Sequence, residues 1–173
     1  MPKIIQNVRE QLLIEAKKQV LERGYTNTTI RSVAKECGIG VGTVYNYFES
    51  KELLVASFVF EDWKKYLLAM SKLPTDDGEV LLKGIYDSLR LFAKEYEKIF
   101  FDTDVKKIAA VGFLSKHKLL REQIANFILP LCIAKEVENP KYVSSFVAEA
   151  IISWSMETDD FRSLYTILEK IIK

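Results

Sequence analysis

Apolar residues recur along this chain at steps of three and four, and alternation at a period of two never persists. The pattern predicts helices and no strands. The first stripe is Ile5, Val8, Leu12, Leu13, Ala16 and Val20, giving a helix from about Ile4 to Arg23 that Gly24 ends. Ile30, Val33, Ala34 and Cys37 form a second short stripe, stopped at Gly38, where a left-handed residue is wanted. Val41, Val44 and Phe48 face inward on a third. A long fourth helix, from Ser50 to about Lys72, carries Leu53, Ala56, Phe60, Trp63 and Leu67, with Leu54 and Phe58 widening the stripe.

Leu73-Pro74-Thr75-Asp76-Asp77-Gly78 is the clearest break, with aspartates suited to capping the next helix. A fifth helix, about Glu79 to Phe101, is strongly apolar. Asp102-Thr103-Asp104 reads as the cap of a sixth, with Val105, Ile108, Ala109 and Gly112 on one face, and Ser115–Lys118 as a polar link. A seventh carries Leu120, Ile124, Phe127, Ile128 and Leu131, and Pro130 is expected to kink it or end it early. Asn139-Pro140 is a strong start for an eighth. This helix shows Val143, Phe146, Val147, Ala150, Ile151 and Trp154 on one side and Ala148, Ile152 and Ser155 on another. A ninth, from about Asp159, has Phe161, Leu164, Tyr165, Leu168, Ile171 and Ile172. A helix apolar on two sides must bury both. A twofold partner chain would cover the surplus, with Val147, Ile151, Phe161, Leu164 and Leu168 as its interface. The alternative is that helices five to seven cover everything.

The stretch Thr28–Phe48, TTIRSVAKECGIGVGTVYNYF, has the spacing of a helix-turn-helix, whose second helix lies in the DNA major groove. Opposite Val44, that helix shows Gly42 and Asn46, with Thr43 and Tyr45 on the flanks. Gly42 has no side chain to hold the backbone away from DNA, and Thr43 and Asn46 offer short hydrogen-bonding groups. Tyr45 and Tyr47 carry hydroxyls on rigid rings. Thr28 is placed as the cap of the second helix. Arg31 and Lys51 each put a cation in the first turn of a helix, where the dipole disfavours one. A phosphate would explain both; for Arg31 a solvated side chain explains it equally well.

These residues resemble TetR-type transcriptional repressors, whose pattern runs roughly T-T-x-R-x-I-A-x-x-A-G-V-S-x-G-T-x-Y-x-Y-F-x-x-K-x-x-L. The chain matches at Thr28, Thr29, Arg31, Ala34, Gly38, Gly42, Thr43, Tyr45, Tyr47, Phe48, Lys51 and Leu54. It departs at Gly40, where the pattern has serine, and at Cys37, where it has alanine. The match covers about the first third of the chain. The resemblance implies an all-α homodimer: an N-terminal three-helix helix-turn-helix DNA-binding domain over residues 1–50, and a C-terminal helical ligand-binding and dimerisation domain over 51–173. The fourth of about nine helices connects them. Gly42, Thr43, Tyr45 and Asn46 would touch base edges, and Thr28, Arg31, Tyr47 and Lys51 would hold phosphates of a near-palindromic operator. The resemblance further implies a small-molecule effector bound between C-terminal helices. Tyr86, Phe92, Tyr96, Phe100, Phe113 and Trp154 are candidates to line that pocket, or are simply core. The scarcity of charge on the fifth and eighth helices points to an apolar or aromatic ligand. The competing reading is a helix-turn-helix protein without a ligand, a constitutive or architectural regulator.

Charge and composition change this picture little. The 173 residues are 49% hydrophobic with a formal net charge of +1. Through Leu53 there are eight basic and six acidic residues, a weak basic footprint for a DNA binder that doubling in a dimer would strengthen. Cys37 and Cys132 lack metal-ligand spacing and read as small buried hydrophobes. His117, between Lys116 and Lys118, reads as an exposed surface residue. There is no zinc-binding His-Glu-x-x-His, no phosphate-cradling glycine loop and no nucleophile elbow. An enzyme, a metal and a cofactor are therefore not expected. No leader or membrane span is apparent, so a soluble cytoplasmic protein is expected.

Overall fold

In the computed structural model, residues 7–100, 113–158 and 160–172 are described, and among them all regular structure is helical. The helices are α1 (Val8–Arg23), α2 (Ile30–Glu36), α3 (Val41–Tyr47), α4 (Lys51–Met70), α5 (Gly78–Glu95), α6 (Glu97–Phe100), α7 (Phe113–Ala134), α8 (Pro140–Glu157) and α9 (Phe161–Ile172). The expected start of the first helix at Ile4 and Ile5, and the helix expected after Asp102, lie outside the described residues. The chain divides into two compact units, Met1–Lys64 with Tyr96–Ile108, and Lys65–Glu95 with Ala109–Lys173.

In the first unit, α1 packs on α2, α2 on α3, and α6 on α1. Leu12, Leu13, Ala16, Val20, Ile30, Val33, Ala34, Val44 and Phe48 form the core, following the expected stripes. Gly24 and Gly38 both adopt positive φ, 84° and 66°, and end α1 and the α2 turn as the sequence suggested. The stripe on α4 is corrected. Leu54, Val55, Phe58 and Trp63 are buried, whereas Leu53 and Phe60 are half exposed, with Lys64 Nζ 4.5 Å from the centre of the Phe60 ring. Two apolar stripes run side by side on this helix, and spacing alone does not say which one the core takes.

Asp62 is the acid buried in this core. It accepts from Lys17 Nζ at 2.5 Å and from the Tyr96 hydroxyl, and Tyr96 stacks on Phe58. A buried carboxylate needs such partners. Tyr96 sits where the single helix expected over Glu79–Phe101 breaks into α5 and α6.

In the second unit, α8 packs on α7 and α5, and α9 on α5 and α8. Asp77 caps α5, its Oδ1 accepting from the Val80 amide at 3.0 Å, and Asp160 caps α9, accepting from the Ser163 amide at 3.1 Å. Three expectations fail here. Ser115–Lys118 is helical, because nothing in it breaks a helix and α7 runs straight through. Pro130 neither ends nor shortens α7, which continues to Ala134. It lies on the exposed side, where water can satisfy the carbonyl it leaves without a donor. The helix ends at Ala134, and two residues on Glu136 has φ 56°, while the Val137 amide reaches back to the Cys132 carbonyl at 3.0 Å. His117 is also not a free surface residue: its Nε2 lies 2.8 and 3.0 Å from the two oxygens of Glu149, with Arg121 3.6 Å away.

The expected interface residues are corrected as well. Val147, Ile151, Phe161, Leu164 and Leu168 are all buried inside their own unit. What α8 leaves outside is Tyr142, Phe146, Trp154 and Met156, and what α7 leaves outside is Leu119 and Ile133. Burial raises the pKa of both cysteine thiols above their ordinary range, with Glu15 and Glu36 adding to the effect at Cys37. Among the described residues no helix is long and apolar enough to cross a membrane, and no cluster of metal-ligating side chains occurs.

Candidate nucleic-acid interface

The turn between α2 and α3 is built from backbone hydrogen bonds. The Ile39 amide donates to the Ala34 carbonyl at 2.9 Å, and Gly38 supplies the left-handed residue this closure requires. Gly40 is the N-cap of α3, with no side-chain cap bond; its carbonyl accepts from the Thr43 amide at 2.9 Å. Val44 plugs α3 into the core, and Phe48 follows it. Anchored on that side, α3 turns a polar and aromatic side outward. Tyr45 is 51% and Tyr47 47% exposed, Asn46 is exposed, and Thr43 is half buried. A side chain added at Gly42 would meet nothing within 4 Å, so the backbone there is open to close approach. These are amide and hydroxyl groups of both donor and acceptor type on one face of a short, rigid helix, which is the kit for reading base edges.

Thr28 is corrected. It is 1% exposed, and its hydroxyl donates to the Gly24 carbonyl at 3.0 Å, so it closes the turn behind the site and does not face a ligand. The cap of α2 is Thr29, in a reciprocal capping box with Ser32. Ser32 also donates to buried Gln19 at 2.6 Å, and Gln19 in turn donates to Glu15 at 2.8 Å, which ties the start of α2 to α1. Arg31 is exposed beside that cap.

Lys51 opens α4 directly after Ser50, whose hydroxyl caps the helix by accepting from the Leu53 amide at 3.2 Å. The Lys51 ammonium donates to the Tyr25 carbonyl at 3.0 Å and lies 3.8 Å from the centre of the Tyr25 ring. The Tyr25 hydroxyl donates to Glu52 at 2.7 Å. That bond, joined by the helix amide and the Ser50 hydroxyl, holds the Glu52 carboxyl below its ordinary range against the opposing effect of burial. Sequence reasoning left Tyr25 in the link between helices. An aromatic placed immediately after the Gly24 stop was its one visible signal.

Among the described residues, the aromatics expected to line a ligand cavity do not converge. Tyr86 is buried, its hydroxyl donating to the Thr158 carbonyl and its ring 5.3 Å from that of Phe161. Phe92 meets Tyr66 edge-on, Tyr96 belongs to the first unit, and Trp154 is partly exposed. The side chains of Phe100 and Phe113 lie outside the described ones. A surface cleft of about 710 Å³ opens elsewhere in the second unit, beside Val80, Lys83, Asp87 and Arg162. Tyr86 and Phe92 are each taken up by a ring close by, Phe161 and Tyr66, and Tyr96 by Phe58 and Asp62.

Residues 12–58 match the family described as bacterial regulatory proteins, tetR family. Over 52 residues the chain is 44% identical to the uncharacterized HTH-type transcriptional regulator YuxN of Bacillus subtilis, covering 30% of this chain and 18% of that protein. Over 57 residues it is 39% identical to the HTH-type transcriptional repressor KstR2 of Mycolicibacterium smegmatis, covering 32% and 28%. The matched stretches thus span less than a third of those relatives' lengths. A tetR-family transcriptional regulator from Pectobacterium atrosepticum shares the fold across 94% of this chain and 93% of its own, with a TM-score of 0.69 at 18% identity. The resemblance drawn from Thr28 to Leu54 is borne out, and the likeness in fold extends over the helices that follow.

Proposed function

We propose that this chain is a DNA-binding transcriptional repressor that works as a homodimer, each protomer laying α3 in the major groove of one half-site of a near-palindromic operator. The observation that carries this reading is the exposed row Gly42, Tyr45 and Asn46 on a helix fixed from behind by Val44, inside the stretch that matches the family. Gly42, Thr43, Tyr45 and Asn46 face the bases, and Arg31, Tyr47 and Lys51 face the phosphates. Residues 1–50 serve DNA, helped by Lys51 at the start of the connecting α4, and 51–173 serve regulation and dimerisation. The dimer forms over the apolar residues that α7 and α8 leave outside. A small apolar or aromatic molecule, bound in the second part, releases the operator by favouring the state that binds DNA less well. The protein acts in the cytoplasm, where the chromosome is.

The test is selection of duplexes from a random-sequence pool by the full chain, followed by titration of the enriched duplex. The expected result is a twofold-symmetric site, bound by two protomers or more, with Tyr45→Ala weakening binding while helicity stays at the wild-type level. Asn46→Ala should relax preference at one base position by about 1–3 kcal/mol. A pool that never enriches, or a Tyr45→Ala protein that binds like wild type, means α3 is not the reading helix.

A further inference from the structure

Lys51 stands at the first position of α4, where the helix dipole opposes a cation. Its ammonium nevertheless has a fixed place, on the Tyr25 carbonyl at 3.0 Å and over the Tyr25 ring at 3.8 Å. The ring cannot drift with it. Tyr25 is buried, and its hydroxyl is tied to Glu52, the next residue of the same helix turn, at 2.7 Å. The ring of Tyr25 is thus held by its edge through Glu52 and offers its face to Lys51, while the main-chain carbonyl of the same residue accepts from the ammonium. A free lysine side chain carries rotamer entropy, which a phosphate contact must otherwise overcome. An ammonium has three donors, and the contact with the Tyr25 carbonyl occupies one.

We infer that Tyr25 is a positioning residue for DNA binding: it holds the Lys51 ammonium at the N-terminus of α4, so that its remaining N–H groups meet a backbone phosphate without further ordering. This rests on the docking face given under Proposed function. Tyr25 itself touches no DNA. Its effect passes through Lys51, and the part of binding it controls is the sequence-independent, salt-sensitive part.

The experiment measures affinity of the full chain for a random-sequence duplex of about thirty base pairs as salt is raised from about 50 to about 200 mM. The proteins are wild type, Lys51→Met, Tyr25→Leu, Tyr25→Phe and the Lys51→Met/Tyr25→Leu double variant. Lys51→Met should flatten the salt slope by about 1 per protomer. Tyr25→Leu, which keeps the main-chain carbonyl but loses the ring, should flatten it by a smaller step, the double variant should go no further than Lys51→Met, and Tyr25→Phe, which keeps the ring but loses its tie to Glu52, should fall between Tyr25→Leu and wild type. A Tyr25→Leu protein with wild-type slope, or one whose effect adds to that of Lys51→Met, overturns the inference and leaves the docking face standing. An unchanged slope in Lys51→Met overturns both. A measurement on wild type alone guards against a Tyr25→Leu chain that does not fold. The Lys51 ε-methylene protons should show an upfield ring-current shift that persists when the duplex is added, and loss of that shift on binding overturns the inference.

Discussion

Single residues at the edge of the interface decide more than their exposure suggests. Glu52 lies next to Lys51, yet its own contacts are internal, to Tyr25 and Ser50. Because these contacts favour the ionised carboxyl, its folded-state pKa lies below the unfolded value. Its contribution is therefore present above the ordinary glutamate pKa of about 4.3 and is lost as pH falls through the folded value. Thermal melts between neutral pH and about pH 3 should show wild type losing this increment, and Tyr25→Phe, which removes the largest cause, should lose less over the same acid range. Equal acid sensitivity in the two proteins would mean that the Tyr25 bond does not tune Glu52. Thr28 and Thr29 make a related point. Two adjacent threonines before a helix look interchangeable in sequence. Only the backbone decides that Thr29, extended at φ −132°, caps α2 while Thr28 turns inward to Gly24.

Elements explain why the first third of the chain was legible and the rest less so. In α1 to α3, punctuation is written in the residues: Gly24 and Gly38 take positive φ, Gly40 caps, and α2 and α3, of seven residues each, are too short to carry two apolar faces. The site is local, so knowing the turn places the reading face. Gly38→Ala should accordingly destabilise the protein by about 1 kcal/mol or more, because its φ of 66° strains a side chain even though space is open around it. Gly40→Ser should do the reverse by a few tenths of a kcal/mol. Its φ of −67° suits any residue, and the serine oxygen would give α3 the side-chain cap it lacks. Both follow from melting temperatures, and a Gly38→Ala protein as stable as wild type would remove the turn from the argument. The later helices carry start signals, at Asp77, Asn139-Pro140 and Asp160, but nothing in the residues marks which face is buried or where a helix breaks. α4 has two apolar stripes, α5 breaks at Tyr96 with neither glycine nor proline, and α7 passes over Pro130. In each case packing against non-local partners overrides the local signal, and one chain read alone does not contain those partners in order.

For the whole molecule, the decisive question is which apolar face is left over. The sequence shows correctly that α8 is apolar on more than one side, but the side it offers to a partner is packed within the chain. Val147 and Ile151 are fully buried against helices of the same chain. Tyr142, at 80% exposure, and Phe146, at 60%, stand one turn apart on the outside of the same helix, with Trp154 further along. Large rings in a row on a surface need a cover. A twofold dimer provides one, since each substitution then acts twice across the axis. Phe146→Glu should therefore convert the protein to a monomer in sedimentation, at wild-type helicity, and weaken operator binding because a monomer meets only one half-site. Ile151→Ala should do something different: it should leave assembly intact in the folded fraction and lower stability by about 2–5 kcal/mol, the range for emptying a buried aliphatic site. The contrast separates an interface from a core. If Phe146→Glu remains dimeric at low micromolar concentration, the two protomers meet through some other surface, and the exposed rings of α8 need a different explanation from dimerisation.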